Sequence, residues 1–154
     1  RCRELDDLGL YWFEEPIAYD LTQGYAELRR RSKTPLQIGE NFYGPRDAMY
    51  AINCGACDMI MPYMMRIGGV TGWMRTAAIA DATGVPVSSH LYPEISAHLL
   101  RVTPTAHWLE WQDWADLVLA DPFSIVNGNL QIPDKPGIGI SWNEDAVSEF
   151  SYEI

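Results

Sequence analysis

Five short apolar runs, each leading to a polar residue, recur along this chain at nearly even intervals. The runs cover residues 10–13, 36–38, 59–61, 85–89 and 107–109. The polar residues at their ends are 26, 23, 27 and 20 residues apart, and they are Glu14, Glu40, Tyr63, His90 and Glu110. Apolar runs this short are typical of strands buried on both faces of a parallel sheet. A repeat of about 25 residues favours a TIM-like (β/α) barrel, with an open parallel sheet as the alternative.

Segments with a helical pattern separate the runs, at residues 21–32, 45–53, 70–83 and 94–102. Pro45 suits the first turn of a helix, and Gly84 suits a helix end. Strands that alternate with helices imply parallel neighbours joined by right-handed crossovers. Because the carboxyl ends of such strands meet at one mouth of a barrel, we expect the five polar residues to share one site.

The predicted fold class is therefore α/β. Five strands are too few to close an eight-stranded barrel, and the chain begins at Arg1 rather than at a methionine, so we expect a portion of a longer protein. We expect residues 1–112 to form a partial barrel that carries the strand-end residues. Residues 113–154 are expected to form a tail outside it, irregular over 113–126, poor in strands, and ending in a short helix capped by Asn143.

The charge of the chain argues against several classes of partner. Twenty-one acidic and 11 basic residues give a net charge of −10, and the cations cluster only at residues 29–33. Because so acidic a chain repels phosphate, we expect no nucleic-acid partner and no docking on an anionic membrane. No run of 18 apolar residues is present, which argues against a membrane span. We expect a cytoplasmic location.

Cys54 and Cys57 form a CxxC pair. A structural zinc site needs four ligands, and the sequence contains no second pair of cysteines. A redox pair would need its second cysteine in the first turn of a helix, whereas Cys57 opens a strand-like apolar run. We therefore interpret both residues as ordinary reduced thiols rather than as a zinc or redox site.

The polar strand-end residues carry a specific chemistry. Two carboxylates at one mouth, Glu14 and Glu40, are the hard oxygen ligands that Mg²⁺ prefers. His90 at another strand end can act as a general base near neutral pH. Glu110 lies between two tryptophans in the sequence, and indole surroundings would keep it protonated, so that it donates a hydrogen bond to developing oxyanion charge.

Longer strings around these residues resemble one known family. They read Phe-Glu-Glu-Pro at 13–16, Gly-Glu-Asn at 39–41, Ile-Gly-Gly-Val-Thr-Gly-Trp at 67–73, Ser-Ser-His-Leu at 88–91, Glu-Ile-Ser-Ala-His-Leu-Leu at 94–100 and Thr-Pro-Thr-Ala-His-Trp-Leu-Glu at 103–110. The segment 133–142 is similar as well. The chain resembles the C-terminal part of the mandelate racemase and muconate lactonizing enzyme family of the enolase superfamily.

This resemblance implies a (β/α)₇β barrel of which strands four to eight are present. Glu14 and Glu40 match two of three Mg²⁺-ligand carboxylates, His90 matches the base, and Glu110 matches the electrophilic acid. The implied reaction removes the proton α to a carboxylate and forms an enediolate, followed by racemisation or by loss of a β-hydroxyl. Supporting roles follow for Glu15, Asn41, His98 and Arg66, and His107 is expected to be a packed structural residue.

Two departures from the family pattern matter. Tyr63 stands where mandelate racemase has an aspartate that orients the catalytic histidine, and Arg66 stands at a nearby lysine position. Because a phenol does not supply the charge that stabilises an imidazolium, either His90 is a weaker base or Tyr63 joins the proton relay. The third ligand, the lysine strand and the capping domain of the family all lie upstream of this sequence, so the chain alone is expected to bind Mg²⁺ poorly.

Two functions stay open on these observations. The first is a Mg²⁺-dependent dehydratase or racemase that acts on a small carboxylate, either a sugar acid or a 2-hydroxy acid, and forms a homo-oligomer when full length. The alternative is a truncated or degenerate barrel fragment without activity of its own, with a structural or partner-binding role only. Tyr63 in place of aspartate favours the alternative, whereas the retained Glu14, Glu40, His90 and Glu110 favour the enzyme.

Overall fold

A parallel sheet forms the frame of the computed structural model, which describes residues 2–152. Its strands are β1 (Phe13–Glu14), β2 (Leu36–Ile38) and β3 (Met59–Ile60), in the order β1-β2-β3. The register places Glu14 beside Gln37 and Gln37 beside Met59. The first strand starts later than predicted, because only the end of the apolar run at 10–13 joins the ladder.

The fourth and fifth predicted strands continue the sheet only as isolated parallel bridges. Val87 pairs with Ile60 on one side and with Ala106 on the other. Backbone N–H groups of Val87 and His107 donate across the second pairing, at 2.8 Å each. The predicted strands at 85–89 and 107–109 are thus corrected to short pairings, and Pro86, which has no N–H to donate, limits the ladder there. Five parallel segments still follow one another in sequence order, as predicted.

Helices connect the segments much as the sequence predicts. The long ones begin and end within two residues of the predicted bounds, and short helices occur near both ends of the chain. The α-helices are α1 (Cys2–Leu5), α2 (Thr22–Arg31), α3 (Pro45–Asn53), α4 (Gly69–Thr83), α5 (Pro93–Arg101) and α6 (Glu144–Glu149). Single 3₁₀ turns occupy Asp6–Leu8 and Asp116–Val118. The predicted cap of α6 is confirmed, since the Asn143 side chain accepts the Ala146 N–H at 3.2 Å.

The main hydrophobic core lies between the sheet and these helices. Leu36, Ile60 and Val87 are fully buried, and Trp73 of α4 is buried against the same cluster. The Trp73 indole N–H donates to the Thr103 hydroxyl at 3.0 Å, which satisfies its polar atom inside the core. Successive side chains of a strand point to opposite faces of the sheet. The neighbours of these buried residues therefore point to the face that does not contact the helices.

The tail differs from its prediction. Residues 113–126, expected to be irregular, include a 3₁₀ turn and a strand, and the region expected to be poor in strands contains an antiparallel hairpin of β4 (Ser124–Val126) and β5 (Asn129–Gln131). Asn127 and Gly128 form its turn with φ of 52° and 75°. Asn-Gly between two short runs is a strong hairpin pattern, because both residues tolerate positive φ. The boundary at residue 112 stays a prediction.

Burial makes Cys57 of the CxxC pair unreactive as a thiol. All three cysteines are free thiols, and burial raises the pKa of Cys57 to about 12. A thiol this hard to ionise cannot act as the nucleophile of a redox pair.

In the part of the chain that the structure describes, no cluster of cysteine, histidine or carboxylate side chains could hold a metal ion with three or more ligands. No helix among residues 2–152 is long and apolar enough to cross a membrane.

Close backbone approach requires the glycines at the start of α4. Gly68 and Gly69 have φ of 103° and 64°, a region that side chains with a Cβ rarely enter. A Cβ at Gly72 would lie 1.9 Å from the Ile67 carbonyl oxygen. The turn into α4 therefore places the loop after β3, which carries Tyr63 and Arg66, tightly against the helix start.

We predict that Gly72→Ala destabilises the protein by about 2–3 kcal/mol, because a backbone atom must move to make room. Chemical denaturation measures the free energy of unfolding. Gly24→Ala in α2 is the matched control, since the nearest atom to its Cβ is the end of the flexible Ile17 side chain, at 3.0 Å. That control should change stability by less than about 1 kcal/mol. Equal effects at the two positions would contradict the backbone clash.

Candidate active site

The predicted strand-end residues meet at one edge of the parallel sheet. Glu14, His90 and Glu110 line the same cavity, of about 300 Å³. Glu40, after β2, and Tyr63, after β3, both contact His90. The Glu40 Oε1 lies 3.8 Å from His90 Nε2, and the centres of the Tyr63 and His90 rings are 5.4 Å apart. The parallel pairing of Tyr63 with His90 holds the two loops together. All five residues are therefore in one region of the molecule.

Glu14 ends β1 with its carboxylate at the cavity. Its Oε2 accepts the Trp12 indole N–H at 3.1 Å and the Gln37 amide N–H at 3.3 Å. Both donors are neutral. They orient the carboxylate without pairing it with a positively charged side chain. An oriented, anionic oxygen pair is what a divalent cation needs as a ligand.

Glu15 ties the end of β1 to the end of β2. One carboxylate oxygen accepts the Gly39 backbone N–H and the other accepts the Asn41 side-chain N–H, each at 3.0 Å. Glu15 itself has a φ of 35°, which is uncommon for a residue with a side chain. These two bonds fix the loop between Gly39 and Asn41, and so they fix the position of Glu40.

Arg66 holds Glu40 from the other side. Its guanidinium donates to the Glu40 carboxylate at 3.0 Å and to the Asn41 side-chain oxygen at 2.8 Å. The same guanidinium lies over the Tyr63 ring, with its central carbon 5.1 Å from the ring centre, within the range of a cation–π contact. Arg66 therefore connects Glu40 to Tyr63.

His90 lies between two carboxylates. Its Nδ1 is 3.3 Å from Glu110 Oε2, and its Nε2 is 3.8 Å from Glu40 Oε1. The His90 side chain is 15% exposed, so solvent screens these charges only partly. The shorter contact places Nδ1 beside Glu110, and Nε2 faces Glu40.

Glu110 is surrounded by N–H donors. Its Oε2 accepts the Leu91 backbone N–H at 2.6 Å, and its Oε1 accepts the Gln112 amide N–H at 3.1 Å. The Ser89 hydroxyl accepts the Glu110 backbone N–H at 2.9 Å. Both Glu110 oxygens accept hydrogen bonds in this arrangement, and the role of a protonated donor among indoles stays a prediction. Its carboxylate also lies 3.3 Å from the His90 ring, and Trp108 lines the same cavity.

Tyr63 belongs to an aromatic stack. Its ring is parallel to that of Tyr92 at 5.8 Å, and it meets the His90 ring edge-on. A hydrogen bond with Tyr92 is the main cause that raises the pKa of Tyr63 above its ordinary value. The Tyr63 ring thus packs edge-on against His90, and its part in a proton relay stays a prediction.

Residues 1–146 match the family described as enolase C-terminal domain-like. The chain belongs to this family. Its resemblance to mandelate racemase and muconate lactonizing enzyme relatives is thus confirmed, and so is its fold class, the C-terminal part of the barrel.

The chain is similar to three proteins of known function or structure. D-gluconate dehydratase of Thermoproteus tenax is 32% identical over 93% of this chain and 31% of its own length. The crystal structure of an enolase from alpha pretobacterium bal199 with bound Mg is 60% identical, with a TM-score of 0.95 over 97% of this chain and 41% of that one. An enolase from Bradyrhizobium complexed with magnesium and mandelic acid is 46% identical, with a TM-score of 0.91, over 96% of this chain and 41% of that one. The chain thus spans between about three and four tenths of the length of these relatives.

Three polar residues that line the cavity were not predicted from the sequence: Gln37, Ser88 and Ser89. Gln37 lies inside the apolar run 36–38, where all three residues are buried, and Ser88 is buried as well. An amide in the middle of a buried strand is a pattern that could have identified the first, because buried polar groups need partners. The hydroxyl of Ser88 carries no comparable pattern, since its partners come from distant segments.

His107 is half-buried with both ring nitrogens bonded. Nδ1 lies 3.3 Å from the Ser88 hydroxyl, and Nε2 lies 3.1 Å from the Tyr11 hydroxyl. Desolvation by burial lowers the pKa of His107 below its ordinary value. Burial therefore favours the neutral ring in the folded protein.

We predict that His107→Asn makes stability less dependent on pH between about 7 and 5. The unfolded chain protonates this histidine near pH 6.5 while the folded protein resists protonation, so the wild type loses stability as the pH falls through that range. Urea denaturation at several pH values measures the slope. At pH 8, where the ring is neutral in both states, the difference between the two proteins reports packing alone. Parallel curves from pH 8 to pH 5 would contradict this assignment.

Proposed function

We propose that this chain contributes the base and two metal ligands to a Mg²⁺-dependent enzyme that removes the proton α to a carboxylate. The observation that carries the proposal is the position of His90. It lies between Glu110 and Glu40, at 3.3 Å and 3.8 Å, at the same sheet edge as Glu14. A base beside a set of carboxylates, in a cavity that admits a small molecule, suits abstraction of a weakly acidic C–H proton.

Glu14 and Glu40 are the residues that would hold Mg²⁺. Mg²⁺ is usually bound by one or two protein carboxylates and completes its shell with water and substrate oxygens, so the donor set fits. When bound, the cation supplies positive charge that stabilises the carboxylate side of the substrate as its α-proton leaves. The two carboxylates are presented on neighbouring strands, one held by neutral donors and the other by Arg66.

Nε2 of His90 is the atom that would take the proton. If Nδ1–H donates to Glu110, the ring is fixed in the tautomer whose Nε2 lone pair is available. The Glu110 carboxylate then stabilises the imidazolium that forms on proton transfer. In this proposal Glu110 supplies the charge that the family aspartate would supply from the Tyr63 position, and Tyr63 packs against the ring.

The substrate class that we infer is a 2-hydroxy carboxylic acid. Gluconate, named in one relative, and mandelic acid, bound by another, share this group. Racemisation needs only removal and return of the α-proton, whereas dehydration also needs a β-hydroxyl to leave. Trp12 and Trp108 in the cavity wall favour an acid with an aromatic or apolar face. Because the chain covers less than half of its relatives, we infer that turnover needs the rest of the barrel.

A fragment with a structural or partner-binding role only is the second candidate. Tyr63 at the aspartate position favours it, as does the lack of a third candidate ligand beside Glu14 and Glu40 among residues 2–152. The two proposals differ in what the natural full-length protein does with a 2-hydroxy acid.

We predict that the natural full-length protein turns over a sugar acid or an aromatic 2-hydroxy acid only when Mg²⁺ is present. His90→Asn should lower kcat by about 10²–10⁴-fold, because the general base is lost. Glu14→Gln and Glu40→Gln should raise the Mg²⁺ concentration needed for half-maximal rate. Steady-state assays against a panel of these acids, with Mg²⁺ and with EDTA, measure both effects.

Glu144→Gln is the matched carboxylate control, since Glu144 lies in α6, apart from the sheet edge. It should behave as the wild type does. Failure of the full-length protein to convert any acid of the panel would favour the fragment. Turnover that persists in EDTA would overturn the metal-dependent proposal.

A further inference from the structure

A chain of hydrogen bonds crosses the interior face of the sheet and ends at Glu14. It links the first parallel segment to the last by way of β2 and the segment around Val87. Its four contacts are Tyr11 Oη to His107 Nε2 at 3.1 Å, His107 Nδ1 to Ser88 Oγ at 3.3 Å, Ser88 Oγ to Gln37 Oε1 at 2.8 Å, and Gln37 Nε2 to Glu14 Oε2 at 3.3 Å. The proton directions along this chain follow from the chemistry of its members.

The Gln37 amide has only one satisfactory orientation. A carboxylate only accepts hydrogen bonds, so the amide nitrogen faces Glu14 and the amide oxygen faces Ser88. The nitrogen is also 3.6 Å from the Met61 sulfur, a weak acceptor. Gln37 is 2% exposed, and an amide buried this deeply costs free energy unless its polar atoms are paired. Its partners therefore hold it in place.

The same reasoning fixes the remaining protons. Ser88 has one hydroxyl proton and donates it to the Gln37 oxygen, so the hydroxyl must accept from His107 Nδ1. His107 is then the Nδ1–H tautomer, and its Nε2 accepts the Tyr11 hydroxyl proton. The lowered pKa of His107 agrees with a neutral ring. All four bonds thus run in one direction, from Tyr11 to Glu14.

We propose that Gln37 is a positioning residue for Glu14, held in its orientation by Ser88 and His107. This inference rests on the proposed function, in which Glu14 is a Mg²⁺ ligand. The Gln37 amide and the Trp12 indole both donate to Oε2 of Glu14. Two donors on Oε2 restrain the carboxylate, and Oε1 is the oxygen that would be offered to a cation. The hydrogen-bond partners of a metal ligand commonly set its affinity for the metal.

Mg²⁺ affinity of the natural full-length protein, measured by isothermal titration calorimetry with MgCl₂ alone, tests this role without using activity. We expect Gln37→Met, which keeps the volume and removes the amide, to weaken Mg²⁺ binding by about 10–100-fold. Ser88→Ala should weaken it less, because Gln37 keeps its contact with Glu14 but loses its anchor. Thr76→Val is the matched control: it also removes a buried hydroxyl, which bonds to the Gly72 carbonyl within α4. That control should leave Mg²⁺ affinity unchanged.

Two substitutions of His107 separate positioning from packing. Asparagine places an N–H donor close to the position of Nδ1, so His107→Asn should retain most of the Mg²⁺ affinity, whereas His107→Leu should lose affinity as Ser88→Ala does. Thermal denaturation of each variant shows that it is folded. If Leu and Asn at position 107 bind Mg²⁺ equally, the directional chain is overturned.

The outcomes distinguish the two proposals. If the wild type binds Mg²⁺, Glu14→Gln weakens that binding and Gln37→Met does not, the positioning role fails and the proposed function stands. If the wild type does not bind Mg²⁺, or Glu14→Gln binds it unchanged, both proposals fail together.

Discussion

Backbone hydrogen bonds hold five parallel segments in sequence order, and the positions of all the site residues depend on them. The pairing of β1, β2 and β3 continues through Val87 to Ala106. On one side of this sheet Leu36, Ile60 and Val87 are buried against helices. That burial fixes the register, because a shift by one residue would turn the polar neighbours Gln37 and Ser88, which lie on the other face, into this apolar core. The carboxyl ends of the segments therefore meet at a single edge.

Charge organises the residues that meet there. Glu15 uses both carboxylate oxygens to join the ends of the first two strands, and Arg66 pairs with Glu40 across the next loop. His90 is then placed between Glu40 and Glu110. The result is a histidine with a carboxylate on each side. The family resemblance instead implies a single carboxylate beside this histidine, from an aspartate at the position of Tyr63. The chain of hydrogen bonds from Tyr11 to Glu14 crosses the same parallel segments.

Periodicity in the sequence predicted the helices, the order of the parallel segments and the convergence of their polar ends. These features depend on local patterns of apolar residues and on the geometry of parallel strands. Contacts between distant side chains could not be predicted in this way. The stacking of Tyr63 on Tyr92 and the bonds from Ser88 to Gln37 join residues 29 and 51 positions apart. The hairpin at Asn127–Gly128 was predictable from its turn residues, but a tail rich in glycine and proline suggested irregular structure.

Exchange of the α-proton with solvent tests the central claim, that His90 removes a proton next to a carboxylate at this sheet edge. The natural full-length protein would be incubated in D₂O with MgCl₂ and either mandelate or D-gluconate, and loss of the α-proton signal followed by NMR. The account predicts exchange on at least one acid for the wild type, and exchange slower by about 100-fold or more for His90→Asn. Exchange at an undiminished rate in His90→Asn would contradict it, as would no exchange on either acid with the wild type.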